Sequence, residues 1–224
     1  MKYSTSLLAL AAGVLSLVTS ACGEDSEPAD PVAELRFFHA SSTLGTLDIA
    51  VEDSLIQVTP DALSTGLEVP PGTTTIEISN SGAGQPILSF TDALTEGQHI
   101  YVIAGDAADS SLQAFEVGEQ PPVLLDGSAA YQLVSVVGAD LTVDVHGPAG
   151  SEVQSVTRYS QSGFFIAEPE NATLAVYNEG DDPASSVPLV ILDSSELGLR
   201  AGGVSTILLK GDLTGLEVIV TSLQ

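Results

Sequence analysis

Cysteine, tryptophan and basic residues are what this sequence has least of: one Cys, no Trp, and five Lys plus Arg against 30 Asp plus Glu in 224 residues. One cysteine cannot close an intramolecular disulfide, so stability must come from burial of Val, Ile and Leu. With a formal net charge of −25, the chain is repelled by phosphate backbones, which excludes nucleic acid as a partner. Catalytic and metal signatures are missing too. The chain has no HExxH, no cysteine cluster, no EF-hand loop and no Gly-x-Ser-x-Gly elbow.

The amino terminus carries a different signal. Lys2 precedes Leu7 to Val18 (LLALAAGVLSLV), twelve apolar and small residues. A membrane-spanning helix needs about 20 such residues to cross about 30 Å of hydrocarbon. The run is therefore read as the h-region of a secretion signal over residues 1–21. Thr19-Ser20-Ala21 then stand before Cys22, which resembles the lipobox of bacterial lipoproteins. The resemblance implies that Cys22 becomes the first mature residue and is lipidated on its thiol and amine. The alternative is an ordinary small-residue cleavage site that leaves a free thiol. In an oxidising compartment such a thiol is a liability, which acylation removes. One acyl chain binds membranes marginally, whereas two hold stably. Gly23 after the cysteine favours the outer membrane or cell surface over the inner membrane. Residues 22–33, with Glu24 to Asp30 (EDSEPAD), read as an acidic, self-repelling tether.

From residue 34 onward strand signals dominate. Leu47, Ile49 and Val51 alternate with Asp48, Ala50 and Glu52, the period of a half-buried strand, and the alternation recurs at Leu141-Val143-Val145. His99 to Ala104 (HIYVIA) and Thr206 to Leu209 (TILL) are apolar nearly throughout, as in strands covered on both faces. Turns separate them at Pro70-Pro71-Gly72, Gly105-Asp106, Gly147-Pro148 and Gly211-Asp212. No amphipathic helix of ten residues is evident; Asp61 to Thr65 reads as a single helical turn. The chain is predicted to be all-β.

The two halves also look alike. Leu35–Ser41, Leu47-Asp48-Ile49, Thr74–Ser79, Gly105-Asp106 and Leu112–Val117 are followed in the same order by Tyr131–Val137, Val143-Asp144-Val145, Ala172–Tyr177, Gly211-Asp212 and Leu216–Thr221. The offset is 96 residues at the aspartate and 106 at the Gly-Asp pair, as loop insertion between shared strands would give. Two tandem β-sandwich domains are expected, at 34–118 and 130–224, with a linker over 119–129.

Arg36, His39-Ala40-Ser41, Leu47-Asp48-Ile49 and Pro70-Pro71-Gly72 before Thr73-Thr74-Thr75 together resemble the secreted bacterial family called domain of unknown function 4397. The second half keeps Val143-Asp144-Val145-His146-Gly147 without the Arg-x-x-His-Ala-Ser opening. The resemblance implies immunoglobulin-like sandwiches, often in tandem on envelope or secreted proteins, and implies no known reaction.

Chemistry has few candidates. His39 shares strand parity with Leu35 and Phe37, so it is read as a hydrogen-bonded core histidine. Asp144 and His146 share a strand face as a polar pair, and Asp48 and Asp144 are read as equivalent strand-end aspartates bonding turn amides. Ser81-Gly82-Ala83-Gly84 reads as a hairpin loop. The acidic loops holding Asp106, Asp109, Asp181 and Asp182 are the candidates for Ca²⁺, without diagnostic spacing, so no cofactor is assigned. The expectation is a non-catalytic envelope protein, lipid-anchored at Cys22, presenting two modules to an envelope protein or polysaccharide. The alternatives are an envelope hydrolase with an unrecognised site, a Ca²⁺-stabilised adhesion module, and a spacer without ligand.

Overall fold

Period-two alternation becomes strand throughout the computed structural model, which describes residues 30–105, 112–118, 122–147 and 150–221. The first half contributes β1 (Ala33–His39), β2 (Leu47–Val51), β3 (Ser54–Val58), β4 (Leu67–Val69), β5 (Gly72–Asn80), β6 (Pro86–Leu94), β7 (Gly97–Ala104) and β8 (Gln113–Val117). The second contributes β9 (Ala129–Ser135), β10 (Leu141–Gly147), β11 (Gly150–Val156), β12 (Ser160–Ala167), β13 (Thr173–Asn178), β14 (Val190–Leu192), β15 (Val204–Asp212) and β16 (Gly215–Thr221). The protein is an all-β sandwich structure.

Each half is two four-stranded sheets. In the first the orders are β3-β2-β5-β6 and β4-β1-β7-β8; in the second they are β11-β10-β13-β14 and β12-β9-β15-β16. Adding eight to every strand number of the first half reproduces the second. Even the parallel pair recurs, β1 with β7 and β9 with β15. This order differs from the ABED and CFG sheets of an immunoglobulin constant domain, because here the second strand pairs with the third and fifth and the first with the fourth and seventh.

Three apolar clusters set the layering. Leu35 and Phe37 of β1 meet Ile49, Ile76 and Tyr101 inside the first half. Leu133 of β9 meets Val143, Leu174 and Ile207 inside the second. The opposite faces of the two inner sheets meet each other, with Phe38, Ile100 and Val102 against Val134, Val136 and Leu208. The result is four stacked sheets within one compact unit, Pro31–Gln224. Both apolar runs now have their cause. Residues His99–Ala104 and Thr206–Lys210 are buried along their whole length, because β7 and β15 lie in inner sheets with a core on either face.

Among the described residues the one helical turn lies at α1 (Ser194–Leu197), not at Asp61–Thr65. Asp193 caps it, accepting from the Ser195 and Glu196 amides while Glu196 accepts from the Asp193 amide, a complete capping box. Asp61 instead has a φ of 59°, outside any right-handed helix, and Leu63 bridges to Phe38.

Candidate functional site

Backbone register fixes which residues of the two halves correspond. Ala40 N–H donates to Ile103 O at 2.8 Å, as Val136 N–H does to Leu209 O at 2.8 Å. Phe37 N–H donates to Ser64 Oγ at 3.0 Å and Leu133 N–H to Ser162 Oγ at 2.9 Å, and each serine passes its own proton to the next carbonyl, of Thr65 or Gly163. A serine thus closes the same gap in both inner sheets, beside β1 and β9, where the sequence offers no motif to find it.

The same register corrects one expectation. Leu47 pairs with Val58 and Asn80, and Leu141 with Val156 and Asn178, so Asp48 corresponds to Thr142 and not to Asp144. Asp48 Oδ2 accepts from the Gly82 amide at 3.0 Å, and Thr142 Oγ1 accepts from the Gly180 amide at 3.1 Å. An apolar-Asp-apolar triplet aligns with its copy equally well after a two-residue slip, since alternation repeats every two residues. The turn-amide role expected of Asp48 is present, and the Gly82 amide together with Gln57 holds its carboxyl below the usual range. Asp144 instead accepts from Ser151 and lies 3.8 Å from His146 Nδ1.

His39 is fully buried. Its Nε2–H donates to Gly45 O at 2.8 Å, and its Nδ1 accepts from the Ser41 amide at 3.3 Å. Burial lowers its pKa, consistent with the neutral tautomer those bonds define. His99 is the opposite case. Burial pulls it down, but the Thr95 carbonyl at 2.9 Å and the Glu116 carboxylate at 2.6 Å raise it overall.

The motif segment His39-Ala40-Ser41 leads into a cleft of about 220 Å³ between the two sandwiches. Equivalent residues of the two halves line it in pairs: Ala40 with Val136, Ser42 with Gly138, and Gly105 with Gly211. The first half adds Ser41 and Thr43, and the second adds Tyr159 and Asp212. Ser41 Oγ donates to Gly105 O at 2.7 Å and so fastens the motif to the end of β7. Gly211 has a φ of 96°, and a Cβ there would collide with the carbonyl oxygen of Gly215, which explains the glycine of the Gly-Asp pair. Tyr159 has a φ of 52°, a left-handed conformation that costs a non-glycine residue about 1–2 kcal/mol and persists only where its surroundings impose it. Its counterpart Asp61, at the matching place before Ser64, is also left-handed. Asp61 receives the Nζ of Lys210 at 2.5 Å, and Glu217 lies 3.4 Å from the same nitrogen. That pair ties the two halves together beside their shared apolar layer.

A second, wider groove of about 670 Å³ lies wholly in the second half, among Asp126, Glu168, Glu170, Asn171 and Arg200. The acidic-loop residues Asp181 and Asp182 behave as turn formers. Asp182 accepts from the Ala184 amide and Ser185 Oγ, and Asp181 from the Asn178 amide group. Among the described residues no three His, Cys, Asp or Glu side chains gather as a metal would require. Cys22, the leader 1–21, tether residues 22–29, linker residues 119–121, and Asp106 and Asp109 lie outside the described residues.

Residues 33–146 match the family model described as "Domain of unknown function (DUF4397)". The chain belongs to this family. The DUF4397 match runs through the first sandwich and on into β9 and β10, and membership is compatible with a non-catalytic binding or structural protein. No curated protein matches the chain. Similar solved structures include the TIE protein of Bacillus anthracis, at 11% identity and a TM-score of 0.25 over 80% of this chain and 34% of that one. A leucine-rich repeat protein of Bacteroides thetaiotaomicron shows 8% identity and a TM-score of 0.22, over 81% of this chain and 26% of that one. The family CBM26 module of Eubacterium rectale Amy13K, solved with maltoheptaose, shows 11% identity and a TM-score of 0.24, over 86% and 97%. This DUF4397 member thus spans only 34% and 26% of the first two.

Proposed function

We propose that the protein is a non-catalytic, lipid-anchored component of a bacterial cell envelope, which holds its paired sandwiches off the membrane toward an extracytoplasmic partner. The observation that carries the non-catalytic part is how the chain spends its motif histidine. His39 has both ring nitrogens on backbone groups, and the neighbouring Ser41 hydroxyl gives its proton to a carbonyl. A nucleophilic pair needs that serine proton directed at a free imidazole nitrogen. The Asp144–His146–Ser151 group does not supply one either, since the carboxylate stands in the middle and both neighbours address it. The shared apolar layer supports the presenting role, because two sandwiches fused through a core offer a partner one rigid surface.

The anchor rests on Cys22 and on the apolar run before it. Mass spectrometry of the native amino-terminal peptide is expected to find acylated Cys22 as its first residue. Cys22→Ser is expected to move the protein from the membrane pellet to the soluble fraction. A bare thiol, an uncut leader, or a serine variant that stays in the pellet overturns the anchor.

A further inference from the structure

The geometry points to the cleft between the two sandwiches as a binding site for one neutral sugar ring, presented as a terminal or branching unit of an extracytoplasmic polysaccharide. This inference rests on the non-catalytic binding role proposed above and gives it a ligand class.

Size is the first constraint. At about 220 Å³ the cleft falls below the roughly 300–1,000 Å³ of pockets that enclose drug-sized ligands, so it takes a single ring and not an extended chain. Polarity is the second. Ser42, Thr43 and Tyr159 bring hydroxyls, groups that donate or accept as a sugar hydroxyl requires. Ala40, Val136 and the Tyr159 ring supply the apolar wall against which a ring's C–H face packs.

Asp212 decides the charge of the ligand. Its Oδ1 accepts from Thr214 N–H at 2.7 Å, Thr214 Oγ1 at 2.6 Å and Gly215 N–H at 2.8 Å. Those bonds hold the carboxylate in one orientation and keep its pKa below the usual range. No donor to its other oxygen, Oδ2, stands among the described residues, so Asp212 brings an ionised acceptor to the residues that line the cleft. Hydroxyl groups bind such an acceptor strongly, while a phosphate, sulfate or uronate meets repulsion from it and from a chain of net charge −25. No sequence motif marks the cleft, because its residues come from five separate segments that only the stacking of the two halves brings together.

The test is a ¹⁵N NMR titration of the mature chain carrying Cys22→Ser. The probes are the methyl glycosides of glucose, galactose, mannose and N-acetylglucosamine, with methylamine as a cationic control. Saturable shifts confined to Ser42, Gly138, Tyr159 and Gly211 are expected with at least one glycoside. Asp212→Asn retains an oxygen for the turn amides and replaces the free acceptor with a donor. It is expected to weaken binding by about tenfold or more at an unchanged melting temperature. Gly138→Leu gives an independent variant: a Cβ there meets only the Tyr159 hydroxyl, at 3.7 Å, so the longer side chain fills the cleft and abolishes the shifts. No saturable shift with any glycoside, shifts centred elsewhere, or methylamine binding as well as the sugars overturns the site. Released methanol would instead show hydrolysis, which refutes the non-catalytic reading and leaves the sugar site standing.

Discussion

The two halves share a chassis and differ in chemistry. Strand order, the parallel inner pair and the serine that bridges to β1 or β9 are the same in both. The titratable positions are not. His39 faces Ser135 across the alignment, Asp48 faces Thr142, Asp61 faces Tyr159, and Ala104 faces Lys210. What survives in both copies is whatever satisfies a backbone group that the fold itself leaves open. What diverges is charge, at the buried His39 and Ser135 as well as where the halves meet each other or water. The comparison teaches that the repeated serines are structural and that the unmatched residues are where this chain's particular function belongs.

The largest effect should come from the cores. Phe37 is fully buried and stacks on Tyr101 with ring centroids 5.5 Å apart, whereas its counterpart Leu133 is itself aliphatic, in a core cluster that also holds Tyr131 and Phe165. Phe37→Ala is expected to cost about 3–5 kcal/mol and Leu133→Ala about 2–5 kcal/mol, read by urea denaturation. Because the inner sheets share a core, each variant should still unfold in one transition. Two resolved transitions would show that the halves are energetically separate despite their contact.

Ser64→Ala and Ser162→Ala probe the repeated feature itself. Each strands a buried amide, of Phe37 or Leu133, and should cost about 1–3 kcal/mol. Near-equal losses are the expected result. A loss at one site only would mean that the bridge is structural in one copy and incidental in the other.

Much of this architecture could be read before any coordinates. Alternation located β2 and β10. The unbroken runs His99–Ala104 and Thr206–Leu209 marked the doubly covered strands, and the order of segments disclosed the repeat. What escaped was set by register and by contact between the halves. Leu47-Asp48-Ile49 and Val143-Asp144-Val145 match by eye two residues out of register. Ser64, Ser162 and Tyr159 carry no local signal, since their roles come from strands or sheets distant in sequence. The sequence suggests a helical turn at Asp61–Thr65 and passes over the short capping box Asp193-Ser194-Ser195-Glu196, and nothing local in it sets Lys210 beside Asp61.

That ion pair exists in one direction only, which makes it a sharper probe of the comparison. The Lys210 side chain is 9% exposed and that of Asp61 46%. Asp61→Asn tolerates the same left-handed backbone but offers the buried ammonium a neutral amide oxygen, leaving the more distant Glu217 as its charged partner. A loss of about 1–3 kcal/mol is expected. Lys210→Met should cost less, since the freed carboxylate rehydrates and the methionine packs against the inner layer. The reverse ranking would show that Asp61 acts through its turn and not through the pair.

The histidines give smaller effects with opposite signs. His39 is held below the ordinary imidazole value of 6.5, so the unfolded chain binds its proton first. Its contribution is whole above 6.5 and is lost as pH falls through the folded value. His99 is held above 6.5, so its contribution is whole below 6.5 and is lost as pH rises through the folded value. Melting temperatures against pH should therefore lose part of their acid-side slope in His39→Ser, which copies the second half, and part of their alkaline-side decline in His99→Gln. Parallel curves for both variants and the wild type would remove the histidines from the pH response.

The smallest effect should separate Asp48 from Thr142, and it tests the register directly. Both oxygens hold a turn amide, but only the carboxylate titrates. Asp48 is held below 3.8, so it adds stability above that value which disappears as pH falls through the folded one. Asp48→Thr should keep the Gly82 amide bonded, leave the neutral-pH melting temperature unchanged and flatten the acid limb. Thr142→Asp should add such a limb to the second half. Hydrogen exchange at the Gly180 amide closes the argument: Thr142→Ala is expected to speed it and Asp144→Ala to leave it alone. Faster exchange only in Asp144→Ala would restore the pairing of the two aspartates and undo the alignment on which the comparison of the halves is built.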